Sequence, residues 1–212
     1  VTPTNGSGNI VPSGTTYTWT TPISNPVGAI TGGTAQATGV ATISQTLTNT
    51  TTAPATLEYT VTPTSGACAG TPFTITVTVN PTPTTLGLTN QTYCNGIPTT
   101  QIVLTNGVSG TTYAWTNSNT AIGLAASGTG NIPVFTPTNS GTSPISATIS
   151  VIATANGCSR AAETYTITVN PSPALSFSPA IQNICSGDTS ALVALTSTTS
   201  GAASISGGTL TI

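Results

Sequence analysis

The sequence predicts an all-β protein made of tandem β-sandwich repeats in a linear array. Three observations predict it: apolar and polar residues alternate with a period of two, turn-forming clusters separate these stretches, and several motifs recur after about 90 residues. Alternation with one apolar face is typical of a half-buried antiparallel strand, and short strands at this spacing are typical of a sandwich. No segment shows a period of 3.6 residues, so we expect essentially no helix.

The repeat is visible in paired motifs. The Tyr-x-Trp motif that ends at Trp19 returns at Trp115, an offset of 115 − 19 = 96 residues. Three other pairs are offset by 90 or 91 residues: Gly66-Ala67-Cys68 with Asn156-Gly157-Cys158, Val79-Asn80-Pro81 with Val169-Asn170-Pro171, and Cys94-Asn95-Gly96 with Cys185-Ser186-Gly187. The smaller offset means that the middle of the second copy is six residues shorter (96 − 90), which is where loops absorb deletions.

The repeat boundaries follow from the Asn-Pro-x-Pro motifs, since proline cannot donate to a strand ladder and stiffens the chain. We predict a repeat at 1–82 that lacks its first strand region, a complete repeat at 83–172, and the first part of a further repeat at 173–212. The chain is therefore expected to be a piece of a longer array. The prolines predicted to form the semi-rigid joints between repeats are Pro81, Pro83, Pro171 and Pro173.

Four aromatic residues are predicted to be the central buried residues, or core pins, of these repeats. Trp115 would be the central core residue of an immunoglobulin-like sandwich, with Tyr113 two positions earlier on the same face. Trp19 and Tyr17 occupy the matching positions of the first repeat. In the alternating stretch at 73–79, the apolar residues face one way and Thr74, Thr76 and Thr78 face the other; we interpret these hydroxyls as an ordinary solvent face rather than a binding array.

The four cysteines favour disulfides over a metal site. The chain has no His and no C-x-x-C pair, so a zinc site is not expected, and disulfides would imply an oxidising, extracellular compartment. We predict a Cys94–Cys158 disulfide that ties the first strand region to the hairpin before the last strand. Cys68 and Cys185 would pair outside residues 1–212, in a continuous array, or between chains, in a head-to-tail polymer.

Composition excludes several classes of function. Charged residues are 2% of the chain and the net charge is −2, so there is no positive electrostatic field to attract nucleic acid. No apolar run is long enough to insert into a membrane. Acid–base catalysis is not expected, because the chain has no His and its only acids are Glu58, Glu163 and Asp188. We expect no cofactor and no metal, and interpret Asp188 as a turn residue.

Arg160 and Glu163 are the only charged residues close together in the sequence. One interpretation is a local surface ion pair, which contributes little stability. The other is a specific contact to the neighbouring repeat, which the rarity of charge in this chain makes worth considering.

The complete unit resembles the PKD-like repeats of very large cell-surface adhesins of Bacteroidota. The resemblance is carried by Cys94, Gly96, the Tyr113–Trp115 motif, Cys158 and the stretch 165–173. It implies a structural segment of a long extracellular filament or stalk, exported by the type IX secretion system and used for surface adhesion and gliding motility. The expected partners are neighbouring repeats, other copies in a filament and a surface polysaccharide. The alternative is a carbohydrate-binding module of a secreted protein, which would need a row of exposed aromatic side chains.

Overall fold

A computed structural model describes residues 2–6 and 8–173, together with the backbone of two strands at 175–178 and 194–197. This part of the chain contains β-strands and one three-residue 3₁₀ helix at Thr120–Ile122, and no α-helix, which confirms the all-β prediction. The strands are β1 (Thr16–Trp19), β2 (Ile23–Asn25), β3 (Ile30–Thr31), β4 (Gln36–Val40), β5 (Thr48–Asn49), β6 (Ala55–Ser65), β7 (Cys68–Ala69), β8 (Phe73–Val79), β9 (Gln91–Cys94), β10 (Thr112–Asn117), β11 (Ser127–Thr129), β12 (Ile145–Ala155), β13 (Cys158–Ser159), β14 (Glu163–Asn170), β15 (Leu175–Ser178) and β16 (Ala194–Ser197).

The main sheet of the first repeat is built around β6. Its strand order is β2-β6-β1-β4, and β7 and β8 also pair with β6. Alternate residues of β6 are buried, because this strand presents an apolar residue at every second position between Ala55 and Val61. The short strands β3 and β5 form a separate two-stranded sheet.

The main sheet of the second repeat has the order β11-β10-β12-β14-β9, and β13 pairs with β12. Its first strand, β9, runs parallel to its last strand, β14, with Cys94 opposite Asn170. Outside the named strands, an isolated antiparallel bridge joins Ile102 and Ile132. The first and last strands of the repeat are therefore neighbours in one sheet.

The two repeats share one strand register. In the first repeat Ala55 pairs with Val79 and Val61 with Phe73, while in the second Ile145 pairs with Val169 and Val151 with Glu163. Each of these residues is offset by 90 from its counterpart (for example 145 − 55 = 90 and 169 − 79 = 90). The hairpins that follow obey the same offset, since Thr64 pairs with Ala69 and Thr154 with Ser159. The sequence repeat is thus a structural repeat.

Each repeat has its own hydrophobic core. The core of the first repeat consists of Tyr17, Trp19, Ala29, Ile30, Ile43, Ala55, Leu57, Tyr59 and Val61. The core of the second consists of Leu104, Trp115, Ile122, Leu124, Ile132, Ala147, Ile149, Val151, Tyr165, Ile167 and Val169. Burial of these side chains is the main source of stability in sandwiches of this size.

The described chain divides into two compact units whose limits differ from the repeat boundaries. The first unit takes 1–85 together with 105–112 and 153–161, so it includes a loop and the β12–β13 hairpin end from the second repeat. The second unit takes the remaining residues, beginning at Leu86. The predicted boundary between 82 and 83 stays a prediction.

The predicted Cys94–Cys158 disulfide is not formed, and the strand register explains why. Both residues are free cysteines. Cys94 lies opposite Asn170, next to the Ile145 end of β12, whereas Cys158 pairs with Ala155 at the other end of that strand. Ten residues of strand span about 33 Å, and a disulfide needs Cα atoms within about 7 Å. The two thiols therefore cannot bond within one chain in this fold.

Candidate functional site

The segment that joins the two repeats, residues 80–86, is held by side-chain hydrogen bonds. Asn80 Nδ2 donates to the Asn156 carbonyl at 2.9 Å, and Asn106 Nδ2 donates to the Thr84 carbonyl at 2.7 Å. Pro81 and Pro83 are fully buried. A segment fixed in this way is a structural element rather than a loose linker, because its backbone polar groups are paired and its prolines restrict the chain.

The two charged residues singled out from the sequence both contact this segment. The Arg160 guanidinium donates to the Pro83 carbonyl at 3.4 Å. Both carboxylate oxygens of Glu163 accept from the Leu86 N–H, at 3.0 and 3.1 Å. Hydrogen bonds to an ionised group are stronger than those between neutral groups. Arg160 and Glu163 therefore hold the chain where it enters the second repeat.

The prolines of the second joint differ from those of the first. Pro171 is half-buried and Pro173 is exposed. The side chains that follow, from 174 onward, are not described, and Cys185 and Asp188 lie outside the described residues. The role of Pro171 and Pro173 as a joint stays a prediction.

The four aromatic residues predicted as core pins lie at matching places on β1 and β10. Trp19 is 5% exposed and Trp115 is 3% exposed. The Trp19 Nε1 donates to the Thr34 carbonyl at 2.9 Å, while the Trp115 Nε1 is buried without a hydrogen-bond partner. Tyr17 is buried, and Tyr113 is half-buried against the second core.

A pair of asparagines, Asn49 and Asn139, was missed in the sequence. Asn139 Nδ2 donates to the carbonyls of Ser143 and Val169, and its Oδ1 accepts from the Gly141 N–H. Asn49 repeats this pattern with the carbonyls of Ala53 and Val79 and the Thr51 N–H. Each side chain closes a turn onto the last strand of its repeat. The offset of 90 residues (139 − 49) was the signal that could have found them.

The last strands of the two repeats differ in how they are covered. In the second repeat β14 lies between β12 and β9. In the first repeat β8 pairs with β6, and no other described strand pairs with it. Ile75, Val77 and Val79 are half-buried, whereas their counterparts Tyr165, Ile167 and Val169 are 4%, 0% and 0% exposed. Among the described strands only β6 pairs with β8, and the other edge of β8 at 77–80 is here called the β8 edge.

The remaining polar features are dispersed. Thr74, Thr76 and Thr78 lie exposed on β8, and Glu58 lies exposed on β6. Among the described residues, no three His, Cys, Asp or Glu side chains lie close enough together to hold a metal ion. No described helix has the length and hydropathy needed to cross a membrane.

Comparisons with known proteins give a match to a family model and similarity to solved structures. Residues 4–83 match the model of the PKD-like domain. Of the solved structures, the crystal structure of human CDH23 EC21-23 is similar at 13% identity and a TM-score of 0.37, covering 88% of this chain and 74% of that one. No curated protein matches the sequence.

Proposed function

We propose that this chain is a structural segment of a long extracellular stalk or filament, built from sandwich repeats and used in cell-surface adhesion. The observation that carries the proposal is the joint at 80–86, which is held by Asn106, Arg160 and Glu163 of the second repeat, two of them among the few charged residues of the chain. Two of the four charged residues of the chain hold this joint, and a joint held in this way suits a segment that bears load along its length.

The match of residues 4–83 to the PKD-like domain model supports the same proposal, because domains of this kind are typically extracellular, non-catalytic structural domains. The low charge content suits a stalk as well. Because uncharged stalks have almost no electrostatic repulsion to screen, the interactions between them depend little on the ionic strength. The finer part of the proposal is that the stalk belongs to a Bacteroidota gliding adhesin exported by type IX secretion, and it rests on the sequence resemblance.

Surface labelling of intact cells tests the proposal. Antibodies raised against residues 83–172 should label filaments on unbroken cells, and the native protein should have an intact mass far above the 20.8 kDa of this chain. Label that appears only after lysis would exclude the stalk. Beads coated with the antibody should travel along a gliding cell, and beads that stay fixed would remove the motility part.

The rival function, carbohydrate binding, is disfavoured by the placement of aromatic side chains. None of the aromatic residues whose side chains the structure describes is exposed, so these residues offer no flat platform for a sugar ring. Saturable binding of this chain to a glycan array would favour carbohydrate binding over the structural stalk.

A further inference from the structure

We propose that the second repeat contains a mechanical clamp, in which segments 86–95 and 163–172 lie side by side and resist a pull along the chain as one unit. The inference deepens the proposed stalk and rests on it for its biological meaning, because a stalk in use is pulled along its length. Both segments lie within the second compact unit of the described chain.

The centre of the clamp is the parallel pairing of the first and last strands of the repeat. Gln91 lies opposite Ile167 and Cys94 opposite Asn170, a constant offset of 76 residues (167 − 91 and 170 − 94). Because the two strands run in the same direction, the chain enters the repeat at one end of this pair and leaves it at the other. Hydrogen bonds in a parallel ladder are evenly spaced along the pair.

Side chains extend this contact upstream of β9. The Thr166 N–H donates to Asn90 Oδ1 at 2.8 Å, at the same offset of 76 residues (166 − 90). Farther upstream, both carboxylate oxygens of Glu163 accept from the Leu86 N–H, at 3.0 and 3.1 Å. A hydrogen bond to a charged group is stronger than one between neutral groups. The entering chain is therefore bonded to β14 before the strand pairing begins.

A second group of hydrogen bonds extends the contact downstream of β9. The Asn95 N–H donates to the Asn170 carbonyl at 2.9 Å. Ser172 Oγ donates to the Asn95 carbonyl at 3.1 Å, and Asn95 Nδ2 donates to the same Oγ at 3.5 Å. Asn139 ties the two segments together, since its N–H donates to Asn95 Oδ1 and its Nδ2 donates to the Val169 carbonyl, each at 2.8 Å. The clamp therefore has bonds at both ends as well as along the strands.

A pull on the two ends of the repeat loads all of these bonds together. Tension on the entering chain draws segment 86–95 one way along the pair, and tension on the leaving chain draws segment 163–172 the opposite way. The two segments must slide past each other, so the bonds at both ends and in the middle stretch at once. Pulling the segments apart from one end would instead break the bonds one after another. Forced unfolding is governed by the rate of unfolding, which shared loading slows.

The pairing with β9 is the shorter of the two contacts that β14 makes. β14 pairs with β12 through seven positions in register and with β9 through four. The shorter contact is expected to separate first, because fewer hydrogen bonds must break. The side-chain bonds at both ends of β9 therefore add directly to the force that the repeat withstands.

The experiment pulls the second repeat in two directions with optical tweezers. In the 212-residue chain, with its four native cysteines replaced by serine, handles attached through Thr85→Cys and Pro173→Cys load the clamp in shear. Handles attached through Thr85→Cys and Ala162→Cys pull on both segments at the same end and peel them apart. All three positions are exposed. At the same force we expect the repeat to survive at least about tenfold longer in shear, because several hydrogen bonds must break together. Equal lifetimes, or a longer lifetime in peeling, would overturn the proposal.

Ser172→Ala separates the clamp from general stability. The variant loses the bonds at the end of the clamp farthest from the peeling handles, so its lifetime should fall about fivefold in shear and stay unchanged in peeling. Ser159→Ala is the matched control, because it removes an exposed hydroxyl that bonds to Thr154 outside the clamp, and it should match the parent in both directions. An equal loss in both directions for Ser172→Ala would show a merely structural role and contradict the proposal. If Ser172→Ala does not fold, the two pulling directions in the parent chain still decide.

The clamp and the stalk can fail separately. Equal lifetimes in the two pulling directions would remove the clamp and leave a stalk that is labelled on unbroken cells. Label that appears only after lysis would remove the stalk, while a clamp measured by pulling would remain a property of the fold.

Discussion

Gly128 illustrates how a single residue sets the core of the second repeat. It lies on β11 opposite Trp115, and the indole packs directly over its backbone. A Cβ atom added at this glycine would come within 2.7 Å of the Trp115 Cε2 atom. Glycine is required here for space rather than for backbone freedom, because the buried indole ring already occupies the position that any Cβ atom would take.

Gly128→Ala is therefore expected to destabilise the second repeat by about 1–3 kcal/mol, the usual effect of overpacking a filled core. Gly107→Ala is the matched control, because its added Cβ would meet Thr52 Cγ2 at an ordinary 3.6 Å. The control should change stability by less than about 0.5 kcal/mol. Urea unfolding followed by tryptophan fluorescence measures both, and equal midpoints for the two variants would contradict the packing argument.

Tyr165 gives the chain a dependence on alkaline pH. Burial, and to a lesser extent the neighbouring Tyr93, raise the pKa of its hydroxyl well above the ordinary 10.0, and the hydroxyl is buried without a hydrogen-bond partner. A group whose pKa is raised by folding contributes stability that is present below its unfolded pKa and is lost as pH rises above it. We expect the melting temperature to fall as pH rises above about 10.

Tyr165→Phe removes both the ionisation and the unpaired hydroxyl. The variant should melt at the same temperature as the parent or higher at pH 7, and should lose less stability than the parent between about pH 9.5 and 11. The measurement is thermal unfolding at a series of pH values. An identical loss in the parent and the variant would show that other groups cause the alkaline unfolding.

At the scale of elements, the joint depends on the charge of Glu163. Glu163→Gln keeps the shape of the side chain but removes the charge of the carboxylate that accepts the hydrogen bond from the Leu86 N–H. We expect a loss of about 1–2 kcal/mol in the free energy of unfolding, since hydrogen bonds to charged groups are the stronger ones. Glu58→Gln on the exposed face of β6 is the matched control and should be close to neutral. Equal urea midpoints for the two variants would assign Glu163 no role in the joint.

For the molecule as a whole, two separate cores predict two separable stabilities. Trp19→Ala should cost about 3–5 kcal/mol in the first repeat, and Trp115→Ala a similar amount in the second. Hydrogen exchange read by mass spectrometry should show each variant losing protection in the strands of its own core, with the other core unchanged. Loss of protection in both cores from either single variant would mean that the repeats unfold as one unit.

The sequence by itself determined the all-β class, the repeat and the apolar face of the long strands, but not the core residues that the loops and short strands supply, such as Ile122 and Ile132. It could do so because the period of two follows from local strand geometry, and the 90-residue offset can be read directly from matching motifs. The shared register of β6–β8 and β12–β14 is the structural form of that offset. Arg160 and Glu163 could be singled out only because charge is rare here. Asn49 and Asn139 were missed because a polar turn residue resembles many others in a chain this rich in polar residues.

Only the tertiary structure decided which ends of the strands meet. Cys94 and Cys158 looked like partners in the sequence, yet spacing along a chain does not say in which direction a strand runs across a sheet. Because β9 pairs in parallel with β14, Cys94 is carried to the end where the chain leaves the repeat, while Cys158 stays at the end where β14 begins. The same parallel pairing covers β14 in the second repeat and has no counterpart among the described strands of the first, a contrast that depends on contacts between residues far apart in the sequence.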